Sequence, residues 1–505
     1  MANIVNRASV LAVKDETTEG TPVAPAAASD YIALQDDFDM SPNFASLENS
    51  ELKNSIGMGK PITGAEEPSV SGSHYLRHSG VEGTAPNYGD VLKGAFGSVD
   101  TESTQYDTVA SSTTALVKVD TGEGATFIRG QALLIKDGTN GYNIRPVHSI
   151  SSNDLTLGFS LPVAPGTGVN LGKAITYYPA NASHTSYSIW HYLGNGGAVQ
   201  MMSGAKFTEL SLNFSAGDLI NMTYAAEGLG YYFNPIEITS STKYIDFTND
   251  DGTFAAQVPV RWYKDPNDLA DAIETAMNVA STGETHTVSY NSSTGKFNIL
   301  STGTVLSLLW NTGTNAANTI ATKIGFSAAA NSTGTAATTG YNSASAITLT
   351  SPQTPSYDSS DPVAAKNHEL LIGDSTETTC INASSVNFTL SNTRAPIGSV
   401  CAESGVSGSI FSSREVTMTV TALLDQYEAK KFYKYRTNED TRVLYNFGTK
   451  TGGNWVAGKC GALYMPTCTI SSFDLADQDG LVSLEMTLKS YVDASGNGEV
   501  YLSFV

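Results

Sequence analysis

Residues 83–97, GTAPNYGDVLKGAFG, decide how the sequence around them is interpreted. Their apolar positions follow the i, i+3, i+4, i+7, i+8 spacing of one helix face: Tyr88, Val91, Leu92, Ala95 and Phe96. Asn87 with Asp90 three positions on predicts a capped helix start, and Gly97 predicts its end. No Lys-Ser or Lys-Thr follows the glycines, as a nucleotide-binding loop would require. The stretch therefore predicts a short helix that packs on a sheet.

The rest of the chain favours β structure. It has 505 residues, of which 40% are hydrophobic and only 15% charged, with 46 glycines and 24 tyrosines. Ser and Thr are abundant throughout, and β-branched and aromatic side chains pack well on a pleated face. This length is enough for several domains, and the low charge argues against general disorder.

The net charge of −21 excludes one class of function. A protein that grips nucleic acid through backbone phosphates needs Lys and Arg, so we do not expect such a protein here. The acidic balance is compatible with a surface that repels nucleic acid. The N-terminal sequence lacks the pattern of a signal peptide, and no run of 18 apolar residues predicts a membrane span.

The first half of the chain shows a definite order of elements. Residues 1–30 predict an extended arm, and 31–41 a strand. A long Gly- and Pro-containing loop follows to about residue 66, and a loop of this length in a compact domain is usually functional. A strand, the helix of residues 83–97 and, after an interruption, a group of strands up to residue 235 complete the pattern.

The same order starts again after residue 363. INASSVNFTLSN predicts a strand, TRAPIGSVCAESGVSGSIFSS a second long loop, REVTMTVTALL a strand and LDQYEAKKFYKYR a helix, before the terminal strands. The second helix has an apolar set of its own: Leu424, Tyr427, Phe432 and Tyr435. The repeated order predicts a duplicated domain, although sequence identity between the halves is weak.

Two inserts interrupt this pattern. Residues 101–183 contain short strand-like runs broken by turn residues. Residues 236–362 predict an α+β module that ends in a linker. Its helix follows Asp265, with Pro266 at the first helical position, and a Ser-Thr-Gly turn then predicts a hairpin.

Motifs of catalysis and metal binding are not found in this sequence. HExxH, GxSxG and zinc-type Cys/His spacings do not occur. His74 and His78 lie in a strand-like run, where four residues span about 13 Å, so we expect no metal site from them. The four cysteines, Cys380, Cys401, Cys460 and Cys468, are expected to be buried reduced thiols. We therefore expect no enzyme, no cofactor and no metal.

In its order of elements, the chain resembles the tail tube proteins (major tail proteins) of long-tailed, siphovirus-type bacteriophages. Four segments carry the resemblance: RASVLAVKDETTEGTPV, IGMGKPITGAEEPSVSG, GVEGTAPNYGDVLKGAFG and the C-terminal part from SSREVTMTVTALLD through GEVYLSFV. These are patterns of turn and apolar positions without a catalytic signature. The central unit resembles insertion modules of phage structural proteins.

The resemblance implies a mainly β fold with two tail-tube-type β-sandwich or barrel domains, each with one flanking helix, plus inserted small β and α+β modules. The corresponding ranges are 1–30 for the arm, 31–100 with 184–235 for the first tube domain, 101–183 and 236–362 for the inserts, and 363–505 for the second tube domain. Tube domains form rings of six that stack into the conduit for DNA ejection, so two per chain imply a trimeric, pseudo-hexameric ring.

The resemblance also implies roles for particular residues. The long loops are expected to contact the next ring through Leu52, Ile56, Met58, Pro61, Ile62, Arg394, Pro396, Ile397 and Val400. Alternation along the strands offers four candidate lumen-facing acids: Glu209, Asp218, Asp474 and Glu485. The helices are expected to pack on the sheets through Tyr88, Val91, Leu92, Phe96, Leu424, Tyr427 and Phe432.

The partners implied are other copies of the chain, the tape measure protein, and the tail terminator and distal tail proteins. Phage DNA would pass through without specific binding. The protein would be assembled in the host cytoplasm and located in the virion tail. Two alternatives remain open: a surface decoration or host-adhesion protein built of stacked β-domains, and a carbohydrate-active enzyme on a β scaffold.

Overall fold

A computed structural model gives the structure of the chain. It describes residues 5–51, 57–181, 184–194, 196–334, 337–424, 431–478, 480–492 and 498–505. Strands outnumber helices throughout this part of the chain, so the mainly β fold class is confirmed. The α-helices within the described residues are α1 (Gly89–Phe96), α2 (Pro266–Ala280) and α3 (Lys431–Thr437).

The strands are numbered in chain order. Strands β1 to β6 are Val10–Asp15, Tyr31–Ile32, Asp39–Ser41, Phe44–Leu47, Ile62–Glu66 and Ser69–Tyr75. Strands β7 to β14 are Gly97–Glu102, Tyr106–Asp107, Leu116–Lys118, Ala132–Asp137, Gly141–Ser151, Asp154–Leu157, Asn170–Leu171 and Ala174–Pro179. Strands β15 to β19 are Tyr187–Leu193, Ala198–Ser215, Asn221–Glu227, Gly230–Phe233 and Ile236–Ile238.

The remaining strands belong to the second half of the chain. Strands β20 to β26 are Tyr244–Asn249, Gly252–Gln257, Arg261–Tyr263, His286–Asn291, Lys296–Ser301, Leu306–Leu308 and Tyr341–Asn342. Strands β27 to β33 are Glu369–Gly373, Ala383–Gly398, Val406–Leu423, Thr441–Thr451, Asn454–Gln478, Leu481–Ser490 and Tyr501–Phe504.

The chain forms two compact units. Unit 1 consists of residues 1–12, 189–202 and 230–354, and unit 2 of residues 13–188, 203–229 and 355–505. Unit 1 therefore contains most of the predicted α+β insert, together with residues 189–202 and 230–235 of the predicted first tube domain. Unit 2 contains the rest of the first and all of the second predicted tube domain.

An antiparallel sheet of eight strands dominates unit 2. The strand registers give the order β3-β6-β17-β16-β28-β29-β32-β31. In chain order the first four strands are β3, β6, β16 and β17, and the last four are β28, β29, β31 and β32. In both groups, the strands therefore lie side by side in the order first, second, fourth, third. We call these groups the first and the second repeat.

The helices occupy matching places in the two repeats. Helix α1 lies between β6 and β16 in the chain, and α3 lies between β29 and β31. This is the order that the sequence predicts for the two halves.

The inner side of the eight-stranded sheet packs on a second sheet of unit 2. This second sheet has the order β27-β30-β31-β33-β14-β7, so the 25-residue strand β31 belongs to both sheets. Phe214 of the first sheet meets Tyr445 and Phe447 of the second, with ring centroids 4.5 and 5.7 Å apart. The arrangement buries a core between the two sheets.

The predicted β-rich insert of residues 101–183 is largely a sheet of its own. Its order is β8-β13-β10-β11-β12-β9. A compact apolar cluster fills it, with Leu133, Ile135, Val147 and Leu155 almost fully buried. Strand β14, at the end of this range, instead pairs with β7 and β33 of the second sheet.

Unit 1 has the α+β organisation that the sequence predicts for its insert. The side chain of Asp265 accepts hydrogen bonds from the backbone N–H groups of Asn267 and Asp268, and Pro266 opens the helix, as predicted. Strands β23 and β24 form the expected hairpin around Gly295. Leu269, Ile273 and Met277 of α2 face the core of the module.

The start of α1 differs from the prediction. Its N-cap is Tyr88, and no side chain caps it. The backbone N–H of Asn87 donates to Asp358, and its side-chain amide donates to the carbonyl of Ser356. The side chain of Asn87 is therefore bound to the segment of residues 356–358 and does not cap the helix. Gly97 ends the helix as predicted, with a φ of 103° and its N–H donating to the carbonyl of Lys93.

The two predicted long loops both contain strands. The second is a hairpin of β28 and β29 that turns at residues 399–405, and the first contains β4 and β5. Gly and Ser suggest loops by composition, but here the cross-strand hydrogen bonds and three register shifts hold a bent hairpin together.

Candidate assembly surface

The side of the eight-stranded sheet that faces away from the core is lined by hydroxyl and amide side chains. We call it the polar face. One row crosses seven strands in register: Ser73, Thr223, Ser211, Thr389, Thr417, Lys489 and Thr469. A second row is Tyr75, Asn221, Asn213, Asn387, Thr419, Thr487 and Ser472. Hydroxyl contacts join neighbouring strands, for example Ser211 to Thr389 at 3.1 Å.

Acidic groups are interspersed on this face. Glu209, Asp474 and Glu485 are exposed, and Asp474 lies opposite Glu485 in the strand register. Asp218 is exposed in the turn between β16 and β17. Lys489 partly balances the charge through its ion pair with Glu415, in which the Nζ and Oε1 atoms are 2.6 Å apart. The four predicted lumen acids are thus on or next to one solvent-facing surface.

Pairing of β16 with β28 joins the two repeats. Seven consecutive residue pairs run from Glu209 opposite Ser391 to Ser215 opposite Ser385. This pairing makes the polar face continuous from the first repeat to the second. We call it the internal junction.

Helix α1 covers the inner side of the internal junction. The rings of Phe96 and Phe388 stack with centroids 6.5 Å apart. Asn392 of β28 donates its side-chain amide to the carbonyls of Ala95 and Phe207, at 2.9 and 3.2 Å. The predicted packing residues Tyr88, Val91, Leu92 and Phe96 are all buried.

The other predicted helix behaves differently. Phe432 of α3 packs on Phe473 with ring centroids 5.5 Å apart, yet it remains largely exposed. Leu424 lies before the helix, outside any strand or helix, and Tyr427 lies outside the described residues.

The two ends of the sheet are strands β3 and β31. Strand β3 pairs with β6 over three residues. In β31, residues 468–478 pair with β32, and the opposite side pairs with β30 only as far as Cys468. Within the part of the chain that the structure describes, no strand register covers the free side of β31 beyond this point.

The strand pair β4–β5 contacts the turn of the β28–β29 hairpin. The backbone N–H of Glu66 in β5 donates to the carbonyl of Ser404 in the turn after β28, at 3.1 Å. These two hairpins carry exposed apolar side chains: Phe44, Leu47, Met58, Ile62, Ile397, Val400 and Ile410. Pro61 and Pro396 are also exposed, whereas Leu52 and Ile56 lie outside the described residues.

Arg394 is the exception among the predicted contact residues. Its guanidinium donates to the carbonyl of Gly228 at 2.9 Å and pairs with Glu227 at 3.3 Å. Since only 4% of this side chain is exposed, the residue is held within its own chain.

Buried polar groups lie beneath the sheets. His74 packs against Tyr88 and Tyr224, and His78 against Phe447 and Phe504. Burial lowers the pKa of both imidazoles to about 3. Neither ring nitrogen of either residue has a hydrogen-bond partner, so these neutral rings serve as packing groups.

The structure divides the four cysteines into two kinds. Cys460 and Cys468 are buried, and burial raises the pKa of both thiols. Cys380 and Cys401 are exposed, so the expectation that all four are buried is wrong for these two. Cys380 lies between β27 and β28, and Cys401 lies in the turn between β28 and β29.

We searched the described residues for a metal site and for a membrane-spanning helix. The described residues contain no group of three or more His, Cys, Asp or Glu side chains arranged to hold a metal ion. None of the helices in the described ranges has the length and apolar character needed to cross a bilayer.

Comparisons with known proteins do not assign this chain to a family. No family model matches the chain, and no curated protein matches it. A solved chain from a structure described as "Virion of native gene transfer agent (GTA) particle" is 13% identical, and the match covers 25% of this chain and 92% of that chain. Its TM-score of 0.19 is too low to define a shared fold.

Proposed function

We propose that this protein is a structural virion protein that polymerises into stacked rings and forms a phage tail tube. The observation that carries the proposal is the eight-stranded sheet, in which two repeats of the same strand order present one continuous polar face. Such a face can line a tube, and the tube would serve as the conduit for DNA ejection.

The internal junction supplies the geometry for a ring. Strand β16 of the first repeat pairs with the first strand of the second repeat. The same step from β31 to strand β3 of another chain continues the sheet and uses both of its free edges. Six repeats from three chains then close a trimeric ring with pseudo-sixfold symmetry.

The polar face suits a lumen through which DNA moves. Hydroxyl and amide groups form no ion pairs with phosphate, and Glu209, Asp474 and Glu485 repel it. The charge of −21 for the whole chain has the same sign. Because Lys489 is already paired with Glu415, it offers little to the DNA backbone.

The β4–β5 and β28–β29 hairpins suit contacts between stacked rings. Their exposed side chains Met58, Ile62, Ile397 and Val400 would be removed from water in a stack. The inserts then project outward, since a lumen of fixed width cannot hold them. A tape measure protein, a tail terminator and a distal tail protein would be further partners in the tail, after assembly in the host cytoplasm. No enzymatic step is part of this role.

Electron microscopy of the purified protein tests the proposal. We expect hollow polymers whose end-on class averages show threefold symmetry with six similar subdomains, and a ring mass of three chains. A ring of six whole chains would contradict the trimeric ring. Discrete single chains that bind host cells would instead support a decoration or adhesion protein.

A further inference from the structure

An aromatic surface remains exposed at the outer edge of the second repeat. It consists of Phe432, Tyr433 and Tyr435 of α3 with Phe473 and Leu475 of β31, and we call it the α3 surface. Phe432 is 44% exposed, Tyr433 65% and Leu475 58%. The rings of Tyr435 and Phe473 stack with centroids 6.3 Å apart, so the surface is an ordered patch.

The matching positions of the first repeat are fully buried. Val91, Leu92 and Phe96 of α1 are 0% exposed. Leu210 and Leu212, on the inner side of β16, are also 0% exposed. The two helices and the two strands have the same places in their repeats, so the difference arises from what lies beside them.

Strand β28 makes that difference in the first repeat. It continues the sheet past β16, and its Phe388 and Asn392 contact α1. Beside β31, the described chain provides no such strand beyond Cys468. The α3 surface therefore lacks the cover that the first strand of a following repeat would provide.

We propose that the α3 surface is a docking site for a second copy of this chain, which covers it with the segment that leads into and includes its β3. This inference rests on the proposed ring. Strand β3 is the first strand of the first repeat, as β28 is of the second, and it lies at the opposite end of the sheet. Covering the surface would remove Leu475 and the three aromatic side chains of α3 from water, which favours association.

Charge complementarity supports this choice of partner segment. Lys434 and Arg436 accompany the aromatic side chains on α3, in a chain with only 28 Lys and Arg among 505 residues. The partner segment, which leads into and includes β3, carries three exposed carboxylates, those of Asp36, Asp37 and Asp39. Opposite charges at the rim of an interface steer association and fix its register.

A single substitution tests the docking site. Leu475→Asp places a charge on the α3 surface at a position that is already exposed in the single chain. We expect the protein concentration needed for assembly to rise about tenfold or more, as for loss of an interface hot spot. Val279→Asp is the matched control, because Val279 is 75% exposed on α2 of unit 1. Sedimentation velocity measures assembly, and circular dichroism confirms that both variants are folded.

A cross-linking experiment tests the identity of the partner segment. In a background with Cys380→Ser and Cys401→Ser, one chain carries Leu475→Cys and a second, differently tagged chain carries Asp39→Cys. A short bis-maleimide should join the two only in the mixture. As a further check, Arg436→Asp should weaken assembly. Adding Asp39→Arg to the same chain should restore it, because each of the three junctions in the ring then joins the two exchanged charges.

The outcomes separate this inference from the proposed function. If wild-type protein forms hollow tubes and Leu475→Asp assembles at the same concentration, the docking site is wrong and the tube remains. Absence of the mixed cross-link in assembled tubes would contradict the choice of β3. If wild-type protein forms no tubes under any condition that keeps it folded, both proposals fail.

Discussion

The buried histidines make the protein sensitive to acid. All seven histidines of the chain have a lowered pKa, and for His74 and His78 burial lowers it to about 3. In the unfolded chain these groups take up a proton near pH 6.5. Between pH 6.5 and pH 3 the unfolded state therefore binds more protons, and stability falls as the pH falls.

We predict that melting temperature drops steeply from pH 6.5 towards pH 4. His74 and His78 each contribute a loss on the order of 4 kcal/mol if they stay buried and neutral down to pH 3. His78→Leu should flatten the profile measured by differential scanning calorimetry. Gln131→Leu is the control: it removes another buried polar side chain that has no titrating proton, so the slope should not change.

Gly94 shows a packing constraint that helix propensity alone would miss. Alanine is normally better than glycine in a helix by about 1 kcal/mol. A Cβ at Gly94 would lie 2.4 Å from Cδ2 of Phe207 and 2.9 Å from Cε2 of Tyr187. We predict that Gly94→Ala destabilises the protein by roughly 1–3 kcal/mol in chemical denaturation. Gly138→Ala, where a Cβ meets nothing within 4 Å, should leave stability unchanged within error.

At the scale of elements, α2 owes its start to local chemistry. Asp265 accepts two backbone hydrogen bonds at the helix N-terminus. Asp265→Ala should cost about 1 kcal/mol and speed hydrogen exchange of the first-turn amides of α2. Asp271→Ala, an exposed position on the same helix, should leave these exchange rates as they are. Equal acceleration in both variants would show that the cap is unimportant.

The sequence predicts elements best where the signals are local. The cap, proline and apolar spacing of α2 lie within 16 residues, and all three are present in the structure. Asn87 was misassigned because its partners, Ser356 and Asp358, are about 270 positions away in the chain. Hairpin β28–β29 looked like a loop because its glycines and serines are held by cross-strand pairing, which composition does not reveal.

The candidate surface was only partly predictable for the same reason. Alternation along single strands offers Glu209, Asp474 and Glu485 as lumen-facing acids, and all three are exposed in the structure, while their place in a lumen stays a prediction. The hydroxyl rows and the internal junction depend on which strands become neighbours, and non-local pairing is not written in local patterns. The ion pair of Arg394 with Glu227 also joins residues that are far apart in sequence.

At the scale of the whole molecule, the polar face makes a prediction about DNA. Replacing Glu209, Asp474 and Glu485 by Lys should leave the sheet folded, because all three side chains are exposed. Tubes of this variant should retain DNA at low salt and release it as salt rises. The control replaces three exposed acids outside the polar face, Asp107, Asp120 and Asp271, by Lys. Equal retention by both sets of tubes would place the polar face away from the lumen.

Deletion tests the proposal that the α+β insert projects outward from the tube. Removing residues 240–350 with a short Gly-Ser linker should leave tubes that form with the same ring diameter and less mass on the outside. The removed segment carries most of an apolar core, which includes Phe247, Ile273 and Trp310, and leaves only Ile236 and Ile238 of its buried residues behind. Failure of the shortened chain to assemble, although folded, would make the segment part of the tube wall. Negative-stain electron microscopy distinguishes the two results.

In the proposed ring, the internal junction also sets how often the α+β module of unit 1 recurs. Since each chain contributes two different repeats, a closed trimer carries three α+β modules at alternate positions instead of six. Linking the repeats in one chain gives that junction a high effective concentration, so closure needs only three intermolecular encounters. A large module can thus be carried by every second repeat without crowding the next module. Each proposed ring then offers three copies of any contact that the module makes.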